Sequence, residues 1–264
     1  MDVIKNEFYT LLKILKKWEI AFFFHYFLWW VIWFMYKKPL WKHKISLSWY
    51  IFTIPFYHPI NWMLSEIFIY ETLSFLKGCK KVVDIWGFVG ESALYLSQHN
   101  TYVDVYELDP WHYTYLQHHI AQQKNIIWFP YGIGIKNQNI FINKTGDFDP
   151  SLHTSDATTE IKSHIKSITE INISQYDGLK IDIEWSEYEI LPYIMDNNLF
   201  NFKKWFVEFH LSWNKKENQI AIFKQFIACL DANHYSYWFI DNYNNKIWKE
   251  QFLKDKFISI CFEK

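Results

Sequence analysis

Acidic side chains stand in four short segments, each closing a run of apolar residues: Asp84 in VVDIWGFVGES, Glu107 in VYELDP, Asp182, Glu184 and Glu187 in KIDIEWSEYEIL, and Glu208 beside His210 in VEFH. Carboxylates can accept hydrogen bonds from hydroxyls or take a proton. In the first segment Gly87 and Gly90 allow a tight turn that brings backbone N–H groups up to a ligand before a helix begins. Glu107 follows Asp84 by 23 positions, where an acid can accept hydrogen bonds from both hydroxyls of an adenosine ribose. Asp182, Glu184 or His210 could take a proton from an acceptor hydroxyl. The same groups have plainer uses. Glu184 and Glu187 favour a helix N-terminus through its dipole, and His210 can be a structural histidine. Asp182, Glu184, Glu208 and His210 also make a donor set suited to Mg²⁺ or Mn²⁺, although no metal is assigned. His112, His118 and His119 read as a solvated helix face with no role.

The elements that must position these groups alternate along the chain. Lys81–Ile85, Tyr102–Glu107, Asn125–Pro130, Leu179–Ile183, Trp205–Phe209, Tyr235–Ile240 and Phe257–Phe262 read as strands. Gly90–His99, Pro110–Gln123, Ser186–Asn197 and Lys216–Asp231 read as helices, with Pro110 in a first turn. This alternation implies a mostly parallel sheet with helices on both faces, and ligands in such sheets bind past the carboxyl ends of the strands. Ile133–Ile142 suggests a hairpin, and Thr145–Ser167 a polar loop. Further upstream, Phe8–Lys17 has the spacing of an amphipathic helix, the proline-containing stretch Lys37–Pro59 suits a connector or short strands, and Asn61–Leu76 reads as a helix. Two regions follow: residues 1–60, a helical and aromatic segment with a connector, and residues 61–264, an α/β domain.

Composition narrows the partners. A net charge of -1 offers no global field for a polyanion, so nucleic acid is not expected. All the basic residues are lysine. Cys79, Cys229 and Cys261 are widely separated and odd in number, which argues against a disulfide framework and fits a cytoplasmic protein. The run Ala21–Tyr36 is apolar except for His25. It is shorter than the roughly 20 residues of a membrane span and reads as a packed helix, with contact to a membrane surface as the less favoured use.

Taken in order, VVDIWGFVGES, VYELDP, KIDIEWSEYEIL and VEFH resemble the signature segments of the FkbM-type methyltransferase family over about Val82–His210. The resemblance implies a Rossmann-like class I methyltransferase fold with a seven-stranded sheet, S-adenosylmethionine as methyl donor, and transfer to a hydroxyl of a sugar or other small molecule. It puts Asp84, Trp86, Gly87 and Gly90 around the methionine part of the cofactor and Glu107 at the ribose. Asp182 and Glu184 then face the transferred methyl, with His210 as a further catalytic candidate. A catalytically silent domain of the same fold and a membrane-associated member are the alternatives. A nicotinamide oxidoreductase is disfavoured because the first loop lacks GxGxxG. Two positions depart from the family pattern, which has glycine where Trp86 and Trp185 stand. With 15 Trp against 7 Gly in the chain, this departure leads to the hypothesis that some codons read as tryptophan mean glycine in the source organism.

Overall fold

The computed structural model describes residues 10–17, 19–20, 22–24, 26–27, 42–47, 50–55, 62–143, 160–183, 186–199, 202–210, 216–248 and 257–264. The chain divides into two compact units, Met1–Thr72 and Leu73–Lys264, so the boundary falls later than the residue 60 expected from sequence.

In the first unit, strands β1 (Lys42–Leu47) and β2 (Tyr50–Pro55) pair as an antiparallel hairpin. Phe52 packs edge-on against Phe68 at 6.0 Å. Helix is present over 10–16, with Ile14 buried and Leu12 and Leu15 exposed, as amphipathic spacing requires. The single helix expected over Asn61–Leu76 is instead broken into a π-helical turn, Ser65–Ile69, and a 3-10 turn, Thr72–Leu76. The break comes at Glu71, whose φ of 56° cannot continue a right-handed helix. Within the Ala21–Tyr36 run, Phe22 and Tyr26 are buried while Phe24 and Phe27 are exposed. Residues 21, 25 and 28–36 lie outside the described residues, and no described helix is long and apolar enough to cross a membrane.

The second unit is built on an eight-stranded sheet. Its members are β3 (Lys81–Ile85), β4 (Tyr102–Tyr106), β5 (Ile126–Phe129), β9 (Gly178–Ile181), β10 (Lys204–His210), β11 (Ser236–Ile240), β12 (Lys246–Ile247) and β13 (Phe257–Glu263). The order is β12-β11-β13-β10-β9-β3-β4-β5. β5, β4, β3, β9 and β10 run parallel, and β13 is antiparallel to both of its neighbours, β10 and β11. This is the Rossmann-like, class I methyltransferase arrangement, with the reversed strand β13 inserted between β10 and β11, which run parallel to each other. The count of eight rather than seven comes from β12, a two-residue strand folded back on β11 through a turn in which Asp241 accepts from the backbone N–H groups of Tyr243 and Asn245.

The helices are α1 (Glu91–His99), α2 (Pro110–Ile120), α3 (Glu187–Asp196) and α4 (Lys216–Ala232). The central strands are apolar on both faces: Val82, Val83, Ile85, Leu179, Ile181 and Val207 are all buried, as expected where helices cover both sides. Trp205 anchors the far half of the core. It is fully buried, stacks on Phe262 at 5.0 Å, and donates its indole N–H to the Phe202 carbonyl. A separate three-stranded sheet joins β6 (Gly132–Gly134), β7 (Gln138–Asn143) and β8 (Glu160–Ser167) in the order β6-β8-β7. The expected hairpin over Ile133–Ile142 is therefore not formed, because β6 and β7 each pair with β8. Residues 160–167 of the expected polar loop are strand β8, and 144–159 lie outside the described residues.

Candidate active site at the carboxyl edge of the sheet

Asp84, Glu107 and Asp182 come at or just past the carboxyl ends of β3, β4 and β9 respectively, three adjacent parallel strands. The turn after β3 folds back over β4, with the N–H groups of Trp86 and Gly87 both donating to the Tyr106 carbonyl at 3.1 and 2.9 Å. Gly87 is required by space. A Cβ there would lie 2.1 Å from Val105 Cγ2 and 2.7 Å from Leu116 Cδ1. Gly90 is required by torsion, with φ +97° at the N-cap of α1. Trp86 has φ 91°, in the region that favours glycine, and its ring lies 5.3 Å from that of Phe88.

Glu107 is buried and holds this turn. Its Oε2 accepts from Phe88 N at 2.7 Å and its Oε1 from Asp109 N at 2.8 Å, with His112 Nδ1 3.5 Å away. Burial pushes its carboxyl above the ordinary range, and His112 pulls it back. Asp109 then caps α2 by accepting from Trp111 N and His112 N, with Pro110 in the first turn. His112 is not on a solvated face: it is buried, with its ring 4.4 Å from Phe88. Ser163 on β8 donates to the Leu108 carbonyl, so the small sheet braces the turn that carries Glu107.

Asp84 lies deeper than a residue in direct contact with ligand would. It is fully buried, accepts from Ser92 Oγ at 2.6 Å and pairs with Lys180 Nζ at 3.0 Å. Lys180 also donates to the Trp86 carbonyl at 3.0 Å and stands 3.5 Å from Asp182 Oδ2. Burial works against its ammonium, but Asp84 and Asp182 hold its pKa above the usual lysine value. A lysine in a buried parallel strand is the sequence signal that could have found this residue. Glu91, the first residue of α1, is a second unexpected member, and burial pushes its carboxyl up to about 8. Nothing in the sequence marks it.

His210 meets Asp182 and Glu208 at the same edge. Its Nε2 is 3.8 Å from Asp182 Oδ1 and 3.6 Å from Glu208 Oε1. Its backbone N donates to Glu187 Oε1 at 2.7 Å, and its Nδ1 is 3.2 Å from the same oxygen. Glu187 is therefore fully buried at the start of α3 as the orienting partner of His210, beyond any dipole role. Glu184 and Trp185 lie outside the described residues. Of the residues expected to form the site, Asp84, Trp86, Gly87, Gly90, Glu107, Asp182 and His210 are brought to one edge.

No protein-family model matches the chain, and no curated protein matches it. Among solved structures it is similar to Trm5b from Pyrococcus abyssi at 9% identity, covering 86% of this chain and 56% of that one, with a TM-score of 0.45. It is similar to methyltransferase FkbM from Methylobacillus flagellatus KT at 15% identity, covering 70% and 43%, TM-score 0.45. TYW2 from M. jannaschii, in complex with AdoMet, is similar at 13% identity, covering 84% and 86%, TM-score 0.45. The chain spans about half the length of the first two. Strand order and register, rather than these likenesses, define the fold.

Proposed function

We propose that the chain is an S-adenosylmethionine-dependent methyltransferase acting on a hydroxyl of a sugar or other small molecule in the cytoplasm, without nucleic acid as partner. The observation that carries this reading is the placement of Asp84, Glu107 and Asp182 on three neighbouring strand ends around one tight turn. Of these, Glu107 and Asp182 suit a ligand that bears both a ribose diol and a positive charge, while Asp84 stays behind them paired with Lys180. When bound, S-adenosylmethionine supplies a methyl group already activated on a sulfonium. Glu107 would hold the ribose, and the backbone from Gly87 to Gly90 the methionine part. Asp84 and Lys180 brace that backbone through the Trp86 carbonyl. Asp182 would face the methyl, a role that the resemblance also gives to Glu184, and a carboxylate or His210 would take the acceptor's proton, a contribution of about 10²–10⁴ in rate.

The donor set fits the cofactor; Trp86 is at odds with it, because a side chain at φ 91° stands in the turn where the family pattern has glycine. That conflict favours a second reading, a domain that keeps the fold and holds the cofactor weakly. Calorimetry with S-adenosylmethionine on the chain and on Trp86→Gly separates the two. Binding is expected to be at least tenfold tighter in the variant, and Glu107→Ala in that background is expected to lose tenfold or more. Absence of binding in both proteins ends the enzymatic reading, and equal affinity after Glu107→Ala ends the ribose assignment.

A further inference from the structure

We infer that Asp182, Glu208 and His210 form a binding site for one hard divalent cation, Mg²⁺ or Mn²⁺, whose remaining positions take a pair of acceptor hydroxyls. This inference rests on the methyltransferase reading for the identity of the hydroxyls but not for the cation. β10 alternates its side chains, so Glu208 and His210 share a face, and β9, the parallel neighbour, ends next to them with Asp182. One donor atom from each residue lies within 4.8 Å of the others. The separations of 3.6 and 3.8 Å from His210 Nε2 exceed a good hydrogen bond. They fall within the span of ~3 to ~4.3 Å that two ligands adopt around an ion held at about 2.1 Å.

Two further observations point to a ligand there. Asp182 is buried, and its Oδ1, the oxygen turned toward His210, has no hydrogen-bond partner. A buried carboxylate oxygen left in that state is costly unless something positive meets it. On the other side of the imidazole, Glu187 Oε1 lies 3.2 Å from Nδ1 and is anchored by the His210 backbone N–H. A carboxylate behind Nδ1 places the proton on that nitrogen and the lone pair on Nε2, the arrangement typical of metal-ligating histidines, which leaves the acceptor's proton to a carboxylate rather than to His210. Charge agrees: Lys180 brings one positive charge to a group that holds Asp84, Asp182, Glu187 and Glu208. Oxygen-rich donors with one imidazole select hard cations over soft ones. Three protein ligands leave about three of six positions open, enough for two neighbouring hydroxyls of a polyol.

The test is a titration of chelator-stripped protein with Mn²⁺, followed by the loss of the free-ion electron paramagnetic resonance signal. One ion per chain is expected, displaced by Mg²⁺, with affinity at least tenfold weaker in Glu208→Gln and in His210→Gln. Circular dichroism melts establish that both variants are folded, and Glu208, at the rim, is the safer of the two. Failure of the folded chain to bind Mn²⁺ at millimolar concentration overturns the site. So does binding that both substitutions leave unchanged. S-adenosylmethionine calorimetry in the presence of chelator reads the enzymatic proposal separately, so Mn²⁺ binding without cofactor binding keeps the cation site while removing its role in methyl transfer.

Discussion

Trp86 and Trp205 are the same residue type in opposite physical situations. Trp205 is sealed in the core with its one donor satisfied, and truncating it to alanine is expected to cost about 3–5 kcal/mol in denaturant unfolding. Trp86 holds φ 91°, a torsion that costs about 1–3 kcal/mol for a residue with a side chain. Trp86→Gly is therefore expected to leave the melting temperature unchanged or higher, whereas Trp205→Ala is expected to lower it. If some codons mean glycine, the two positions should also differ in the native protein: mass spectrometry is expected to read glycine at 86 and tryptophan at 205. A native peptide with tryptophan at 86 sinks that idea. Glu91 makes a separate prediction. Burial pushes its carboxyl up to about 8 in the folded chain, against an ordinary value of 4.5. Between those values the folded state binds the extra proton, so this group's contribution to stability falls as pH rises from about 4.5 to 8. Urea unfolding at pH 5 and 8 is expected to show this fall relative to Glu91→Gln, with a slope of at most ~1.4 kcal/mol per pH unit.

At the level of elements, the site depends on how closely the β3–α1 turn lies on β4 and α2. Gly87 has no room for a methyl group, with Val105 and Leu116 inside contact distance. Gly87→Ala is expected to destabilise by about 1–3 kcal/mol and to weaken cofactor binding, both readable from unfolding curves and calorimetry. An unchanged unfolding curve would show that the turn can move away from β4. The strands and helices of this half were legible because each has a strong local mark: β-branched runs in β3 and β4, Pro110 at the start of α2, and the 3.6-residue period in α4. Strand β8 and the pairing of β6 and β7 with it were not legible. Their pairing joins segments far apart in the chain, and an alternating polar stretch such as Glu160–Ser167 is a strand only because partners on both sides take up its backbone groups.

For the whole molecule, the core of the second unit draws on β3, β4, β9, β10, β13, α3 and α4, with Leu73 and Leu76 buried near its start. A fragment of residues 73–264 is accordingly expected to unfold in one cooperative transition when followed by circular dichroism; a gradual, non-cooperative loss of signal would show that the core needs the first unit. By itself the sequence determined the fold class, the order of the main strands and the acidic residues at their ends, since all of these follow from local period and from residue type. It also named Asp84, Glu107, Asp182 and His210. Only the tertiary structure decided what each does: Asp84 braces a turn through Lys180, Glu187 orients His210, His112 leaves the surface to face Glu107, and burial raises the pKa of Glu91. Pairings of this kind depend on distance and burial between residues far apart in the chain, which no local pattern encodes.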